Sequence, residues 1–117
     1  MNKRMIGTAW EEEAARCLTE NGYIILEKNF RCREGEIDLI AEEGGYLVFI
    51  EVRYRKTEAK GHPLETVNTA KQRKISRVAQ YYLYKNGISL DKPVRFDVVS
   101  VLGGKIEIIK DAFSYQM

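Results

Sequence analysis

Two acidic residues lie on either side of a turn signal, at positions that an antiparallel hairpin brings face to face. The Gly44–Gly45 pair is typical of a hairpin turn, and a hairpin centred on it places Asp38 opposite Glu51. Two carboxylates at cross-strand distance repel each other unless a cation lies between them. Their hard oxygen ligands favour Mg²⁺, Mn²⁺ or Ca²⁺ over zinc. Such a cation can polarise a phosphodiester and lower the pKa of an attacking water.

Glu51 is an unusual residue for its position. It interrupts the apolar run Tyr46–Val52, which predicts a central strand covered on both faces. A carboxylate in such a strand costs free energy unless it is paired or metal-bound. The same register places Glu36 opposite Arg53. Spacing alone therefore leaves two interpretations open: a divalent-metal site, or an ion pair of Glu51 with a nearby arginine beside a solvated Asp38.

The segments around this hairpin predict the elements that position it. Apolar residues at spacings of three and four predict an opening helix, with Thr8 as a candidate N-cap and Glu11–Glu13 suited to its N-terminus. A polar segment with glycine and proline predicts a loop after the hairpin, and a second apolar periodicity predicts a long helix. The predicted elements are a helix over 6–21, strands Tyr23–Phe30, Glu36–Ala41 and Tyr46–Val52, a loop Arg53–Pro63, a helix Leu64–Lys85, and strands Val94–Val101 and Lys105–Ile109.

The connection between Glu51 and Val94 decides the fold class. It is long enough for a crossover that makes two strands parallel. The pattern therefore predicts a single α/β domain over residues 1–117, with a mixed sheet of about five strands flanked by helices.

Charge is unevenly distributed, although the net charge is only +2. Between Arg53 and Arg77 there are eight basic residues and two acidic ones. A basic stretch beside an acidic cluster suits a protein that binds phosphates and cations, and the alternative is a solvated helix face next to a charged loop. The candidate nucleic-acid contacts are Lys56, Lys71, Arg73, Lys74 and Arg77.

Several functional classes are disfavoured by the same sequence. No run approaches the ~18 apolar residues that cross a bilayer, and the acids Glu11–Glu13 follow the basic start too early for a secretory signal. Cys17 and Cys32 fit no zinc or redox spacing and are interpreted as reduced thiols. His62 precedes a proline in the predicted loop and is interpreted as a loop residue. These features predict a cytoplasmic protein without a membrane partner.

The hairpin motifs also resemble a known family. Gly35–Ala41 (GEIDLIA) followed by Val48–Arg53 (VFIEVR) resembles the YraN-like family of small bacterial proteins. That family is similar to the PD-(D/E)XK nucleases and to the archaeal Holliday junction resolvases. The resemblance extends from Gly7 through the long helix to Val94–Val99. It implies a restriction-endonuclease-like fold of three layers.

The resemblance implies roles for individual residues. Asp38 and Glu51 correspond to the two acids that bind Mg²⁺ or Mn²⁺, and Glu11 resembles a first-helix glutamate that joins them. Arg53 stands where the family pattern has lysine. A guanidinium is effectively never deprotonated, but it can bind phosphate or stabilise transition-state charge. Lys56 or Lys71 can substitute for the missing lysine, and Glu36 is expected to form a salt bridge with Arg53.

The implied function is metal-dependent hydrolysis of phosphodiester bonds in DNA. The catalytic candidates are Asp38, Glu51, Arg53 and Glu11. DNA is favoured over RNA as the partner, branched or otherwise structured DNA is the favoured form, and symmetric junctions would suit a homodimer. One alternative is a catalytically weak or inactive nucleic-acid-binding module of the same fold, which the departure at Arg53 supports. Another is a protein-interaction domain with this fold.

Overall fold

One five-stranded mixed sheet carries a helix on each face. The computed structural model describes residues 3–55 and 67–116, with side chains from residue 9 onwards. In chain order the elements are α1 (Lys3–Glu20), β1 (Ile24–Cys32), β2 (Gly35–Glu43), β3 (Tyr46–Arg55), α2 (Thr69–Lys85), β4 (Val94–Leu102) and β5 (Lys105–Phe113). The strand order is β1-β2-β3-β4-β5, in which β3 and β4 are parallel and the other neighbours antiparallel. The predicted α/β fold and mixed sheet are confirmed.

The two helices cover opposite faces of this sheet. Side chains alternate along β3, so Phe49 faces α2 whereas Ile50 faces α1. Ala14 and Leu18 of α1 are buried in the cluster that contains Ile50. The cluster that contains Phe49 is closed by α2, through Ile75, Val78, Ala79, Tyr82 and Leu83. The layers are therefore helix, sheet and helix, as a restriction-endonuclease-like fold requires. Within the described residues, neither helix is long and apolar enough to cross a membrane.

Several strands run further than the sequence pattern predicts. β3 continues to Arg55 because the parallel strand β4 supplies partners as far as Leu102. Arg53 therefore lies in the strand and not in the predicted loop. β5 continues to Phe113, which pairs with Phe96 beyond an irregularity in the register. Local composition underestimates these strands because the hydrogen bonds that extend them come from distant parts of the chain.

Both predicted helix starts are wrong. Thr8 is not an N-cap, because α1 begins at Lys3 and includes it. α2 begins at Thr69, after Asn68, whose side chain accepts a hydrogen bond from the Lys71 N–H at 2.9 Å. An asparagine that accepts from the N3 amide is a strong start signal. Leu64, where the periodicity places the start, lies outside the described residues.

A buried ionic cluster joins the start of β1 to β4 and β5. Asp97 is fully buried. It accepts hydrogen bonds from the Tyr23 hydroxyl (2.6 Å), the Arg95 Nε (2.9 Å) and the Asp111 N–H (2.9 Å). Tyr23 was predicted to begin β1 but precedes it, and its side chain is held by this cluster.

Tyr23→Phe is expected to destabilise the protein by about 1.5–3 kcal/mol, because it removes a hydrogen bond to a charged, buried acceptor. Chemical denaturation of the variant and the wild type measures the difference. Tyr84→Phe is the matched control, since the Tyr84 side chain is exposed and its loss of a hydroxyl should change stability little. Equal stabilities for Tyr23→Phe and wild type would contradict a stabilising role for the cluster.

Candidate active site

The strands of the central hairpin part at the two candidate acids. β2 and β3 pair from Glu43↔Tyr46 to Leu39↔Ile50, which confirms the predicted register. The pairing ends there, one residue before Asp38 and Glu51. The Val52 N–H donates to Asp38 Oδ2 at 2.8 Å. The Asp38 carboxylate thus takes the place of a backbone acceptor in β2, which anchors it to β3 beside Glu51.

The neighbouring strand β1 is irregular at the same level. Its pairing with β2 passes from Lys28↔Leu39 to Phe30↔Ile37, so Asn29 and Asp38 lie between the two pairs. Asn29 has φ 52°, a left-handed conformation that asparagine adopts more readily than most residues. Asn29 was not among the predicted site residues. Its signal in the sequence is an asparagine, which is rare in strands, within an otherwise strand-like segment.

The first helix brings Glu11 to this point. Burial, followed by the nearby charge of Asp38, raises the pKa of Glu11, and a hydrogen bond with Asn29 opposes the rise. The structure therefore places Glu11 near Asp38, as predicted. The helix and the irregular strand meet where the hairpin opens.

Asp38 and Glu51 lie in an environment that disfavours two negative charges. Their exposed fractions are 8% and 6%. Burial raises the pKa of the Asp38 carboxyl, an effect that the Val52 hydrogen bond partly opposes. Burial and then the charge of Asp38 raise the pKa of Glu51 to about 7. A bound cation would relieve both causes, because it compensates for lost hydration and separates the two charges.

Two basic side chains contact Glu51 directly. Arg53 Nη1 lies 3.2 Å from Glu51 Oε1, and Lys71 Nζ lies 3.5 Å from the same oxygen. The predicted ion pair of Glu51 with an arginine is therefore present. The predicted pairing of Glu36 opposite Arg53 is wrong, because β2 and β3 separate before reaching it. Glu36 instead forms an ion pair with Arg31 across the β1–β2 hairpin, at 2.7 Å.

The donor set suits a cation of the magnesium type. Within residues 9–55 and 67–116, no three histidine, cysteine, aspartate or glutamate side chains are gathered closely enough to hold a metal by themselves. Asp38 and Glu51 nevertheless offer two adjoining carboxylates, with Glu11 beside Asp38. Mg²⁺ commonly takes one or two protein carboxylates and completes its shell with water and substrate phosphates. Zinc would require a fuller set of nitrogen or sulfur ligands.

Comparison with known proteins assigns the chain to a family. The model described as "Uncharacterised protein family UPF0102" matches residues 10–101. The chain belongs to the UPF0102 family. A UPF0102 protein of Lachnoclostridium phytofermentans is 51% identical over 97% of this chain and 96% of its own length. A UPF0102 protein of Persephonella marina is 46% identical over 92% of this chain and 91% of its own length. A UPF0102 protein of Symbiobacterium thermophilum is 47% identical over 94% of this chain and 97% of its own length. The YraN-like resemblance is confirmed.

The matched UPF0102 region includes the acids and the basic helix beside them. Of the predicted phosphate contacts on α2, Lys71 alone is seen to contact Glu51, whereas Arg73, Lys74 and Arg77 are exposed on the outer side of the helix. Lys56 lies outside the described residues. The sequence grouped these lysines and arginines together, and the structure separates Lys71 from the rest.

Glu51→Gln is expected to make stability less dependent on pH. The folded-state pKa of Glu51 is raised to about 7 from 4.5, so its contribution to stability is complete below pH 4.5 and is lost as pH rises through 7. Without divalent cations, Glu51→Gln should melt about 10 °C above wild type near pH 8 and close to wild type at low pH. Thermal denaturation across this range measures the difference. Glu20→Gln, at an exposed position of α1, is the control, and a pH-independent difference for Glu51→Gln would contradict the expectation.

Proposed function

We propose that this protein is a metal-dependent nuclease that hydrolyses phosphodiester bonds in DNA. The strongest support is the position of Asp38 and Glu51, two buried and adjoining carboxylates at the point where the central hairpin opens. Two desolvated acids side by side cost free energy in a purely structural role, whereas a bound cation compensates for that cost. The YraN-like resemblance supports a nuclease over other metal-dependent enzymes.

Each residue of the site has a distinct task in this proposal. Asp38 and Glu51 hold the cation, and the Val52 N–H fixes the orientation of Asp38. Glu11 adds a third acid beside Asp38, from α1. A divalent cation held there would polarise the phosphodiester and lower the pKa of the attacking water. The water oxygen forms a bond to phosphorus and releases a proton to solvent, the bond from phosphorus to the leaving oxygen breaks, and the leaving oxygen gains a proton from solvent.

The basic residues at Glu51 are suited to the substrate phosphate. When a cation neutralises the acids, Arg53 and Lys71 no longer need Glu51 as their counter-ion. Arg53 can then donate two hydrogen bonds to a phosphate, and Lys71 can stabilise charge that develops in the transition state. Beyond them, Arg73, Lys74 and Arg77 provide exposed positive charge for contacts with the DNA backbone.

The second candidate is a DNA-binding module without useful catalysis. It is favoured by one observation, the contact of both Arg53 and Lys71 with Glu51. These two cations already neutralise the acid that a metal would need. In this alternative the basic helix binds DNA, while the acids only position Arg53 and Lys71.

A cleavage assay separates these candidates. Labelled duplex, single-stranded and branched DNAs are incubated with the protein, with and without Mg²⁺ or Mn²⁺. Metal-dependent products that disappear in the double variant Asp38→Asn with Glu51→Gln would support the nuclease. Salt-sensitive binding without products would favour the binding module. Absence of both binding and products would contradict both candidates.

Mg²⁺ is expected to raise the melting temperature of the wild type and not that of the double variant. A ligand that binds only the folded state, at a hundred times its Kd, stabilises it by about 2.7 kcal/mol. The matched control is a double change at two exposed acids, Glu12→Gln with Asp91→Asn, which should keep the shift. No shift in wild type, together with no heat of binding in calorimetry, would contradict a metal site.

A further inference from the structure

The outer face of α2 combines positive charge with exposed aromatic rings. At about 3.6 residues per turn, its exposed side chains fall within one arc that runs the length of the helix. Residues 69–85 contain no aspartate or glutamate. Apart from the small side chains of Thr69 and Ala70, the exposed members of the arc are Arg73, Lys74, Arg77, Tyr81, Tyr84 and Lys85.

The charges of Arg73, Lys74 and Arg77 on this arc have no acidic partner within α2. Arg73 and Arg77 are four residues apart, a spacing at which like charges repel each other. α1 shows the usual arrangement, in which Arg16 contacts Glu13 and Glu20, each at 2.6 Å. A helix with one sign of charge gains stability when an anion lies along it. A nucleic-acid backbone provides such an anion at regular intervals.

Two tyrosines lie on the same arc, on the C-terminal side of Arg73, Lys74 and Arg77. Tyr84 is 84% exposed and Tyr81 is 42% exposed. The Tyr81 ring lies 6.2 Å from that of Phe30, which is buried and makes an edge-to-face contact with Tyr82. Tyr81 therefore rests on a packed aromatic cluster. Tyr84 follows three residues later and is its neighbour on the helix surface.

We infer that Tyr81 and Tyr84 stack on unpaired bases of a nucleic acid whose backbone the cations of α2 hold. Exposed aromatic rings beside a basic groove are the means by which proteins bind single strands, because every base has a face available for stacking. The bases of an intact duplex are stacked on each other and cannot be reached in this way. The preferred substrate class is then a duplex that adjoins a single-stranded segment.

The length of α2 sets the distance between Glu51, which Lys71 contacts, and the exposed tyrosines. Lys71, at Glu51, and Tyr84 are thirteen residues apart, which corresponds to about 20 Å along the helix axis. That distance equals about six base pairs of duplex. The inference rests on the proposed function, since it assumes that the strand held by α2 is the one presented to Asp38 and Glu51.

A binding experiment tests the stacking independently of cleavage. Fluorescence anisotropy in EDTA compares a blunt duplex with the same duplex carrying a single-stranded tail that contains 2-aminopurine. Wild type is expected to bind the tailed duplex about tenfold more tightly and to quench the 2-aminopurine. Tyr81→Leu with Tyr84→Leu should remove both effects and leave blunt-duplex binding unchanged. Tyr81→Phe with Tyr84→Phe should retain them, because the rings remain.

An exposed apolar side chain elsewhere in the protein provides the control for the two tyrosines. Leu90→Ala, at a side chain as exposed as that of Tyr84, should behave as wild type. If Tyr81→Leu with Tyr84→Leu lowers the affinity for both duplexes equally, the stacking is overturned. An unchanged preference for the tailed duplex would overturn it as well. A changed oligomeric state in light scattering without a changed preference would identify a protein interface instead. If wild type prefers and quenches the tail but cleaves nothing, the proposed nuclease fails while the stacking surface stands.

Discussion

Asp38→Asn is expected to lower the rate of Mg²⁺-dependent DNA cleavage by about a thousandfold or more. A cation at an active site supplies several kcal/mol of transition-state stabilisation, and each 1.36 kcal/mol corresponds to about a factor of ten. The change removes one of the two charges that would hold the cation in the proposed site. It keeps an oxygen that can accept from the Val52 N–H, so the opening of the hairpin should be preserved. Single-turnover cleavage of a substrate that the wild type cuts measures the effect.

Controls distinguish loss of the metal site from loss of the fold. Asp91→Asn makes the same chemical change at an exposed aspartate away from the site and should cleave as wild type does. Asp38→Asn should melt at or above the temperature of the metal-free wild type, because an unfavourable buried charge is gone. The double variant with Glu51→Gln should be little worse than either single variant, since residues that act as a unit are non-additive. Cleavage within tenfold of wild type would exclude Asp38 as a metal ligand.

The hairpin register could be predicted because its determinants are local. Gly44–Gly45 fixes the turn, and both glycines have the positive φ that such a turn requires. Strand alternation then assigns every residue of the hairpin to a face. The end of the pairing at Leu39↔Ile50 could not be predicted in this way. At that point the Asp38 carboxylate accepts from the Val52 N–H, and the left-handed Asn29 of β1 and Glu11 of α1 reach Asp38 from other parts of the chain.

The sequence also did not predict that Lys71 lies apart from the other basic residues of α2. Periodicity identifies the face of α2 that packs on the sheet, but it does not say where the helix lies along the strands. Asn68 starts the helix close enough to Glu51 for Lys71, in its first turn, to reach the carboxylate. The apolar pattern that begins at Leu64 predicts an earlier start and gives no reason to single out Lys71. Burial of Glu51 followed more directly, since a central strand in a covered sheet has no exposed face, whereas the sequence left a solvated Asp38 open.

Lys71→Met is expected to lower cleavage by about a hundredfold or more while reducing DNA affinity much less. By the resemblance to PD-(D/E)XK nucleases, Arg53 stands at the position of a motif lysine, but a guanidinium is effectively never deprotonated. Lys71 Nζ lies 3.5 Å from Glu51 Oε1. A lysine at that point can position the attacking water or handle its proton, a contribution of about 10²–10⁴-fold. Single-turnover rates and DNA affinities of the variants measure both quantities. Lys74→Met is the matched control, because Lys74 is exposed on α2 and should contribute only salt-sensitive affinity.

The motif arginine provides the decisive comparison. If Lys71 performs the task of the missing lysine, adding Arg53→Lys to Lys71→Met should restore much of the lost rate by returning an amine to the motif position. Arg53→Lys alone should weaken substrate binding, because an ammonium cannot reproduce the two-pronged contact of a guanidinium with phosphate. Arg53→Ala should weaken it further. If Lys71→Met cannot be distinguished from Lys74→Met, Lys71 only contacts the DNA backbone. If Arg53→Ala cleaves and binds DNA as wild type does, Arg53 contributes neither to cleavage nor to phosphate binding.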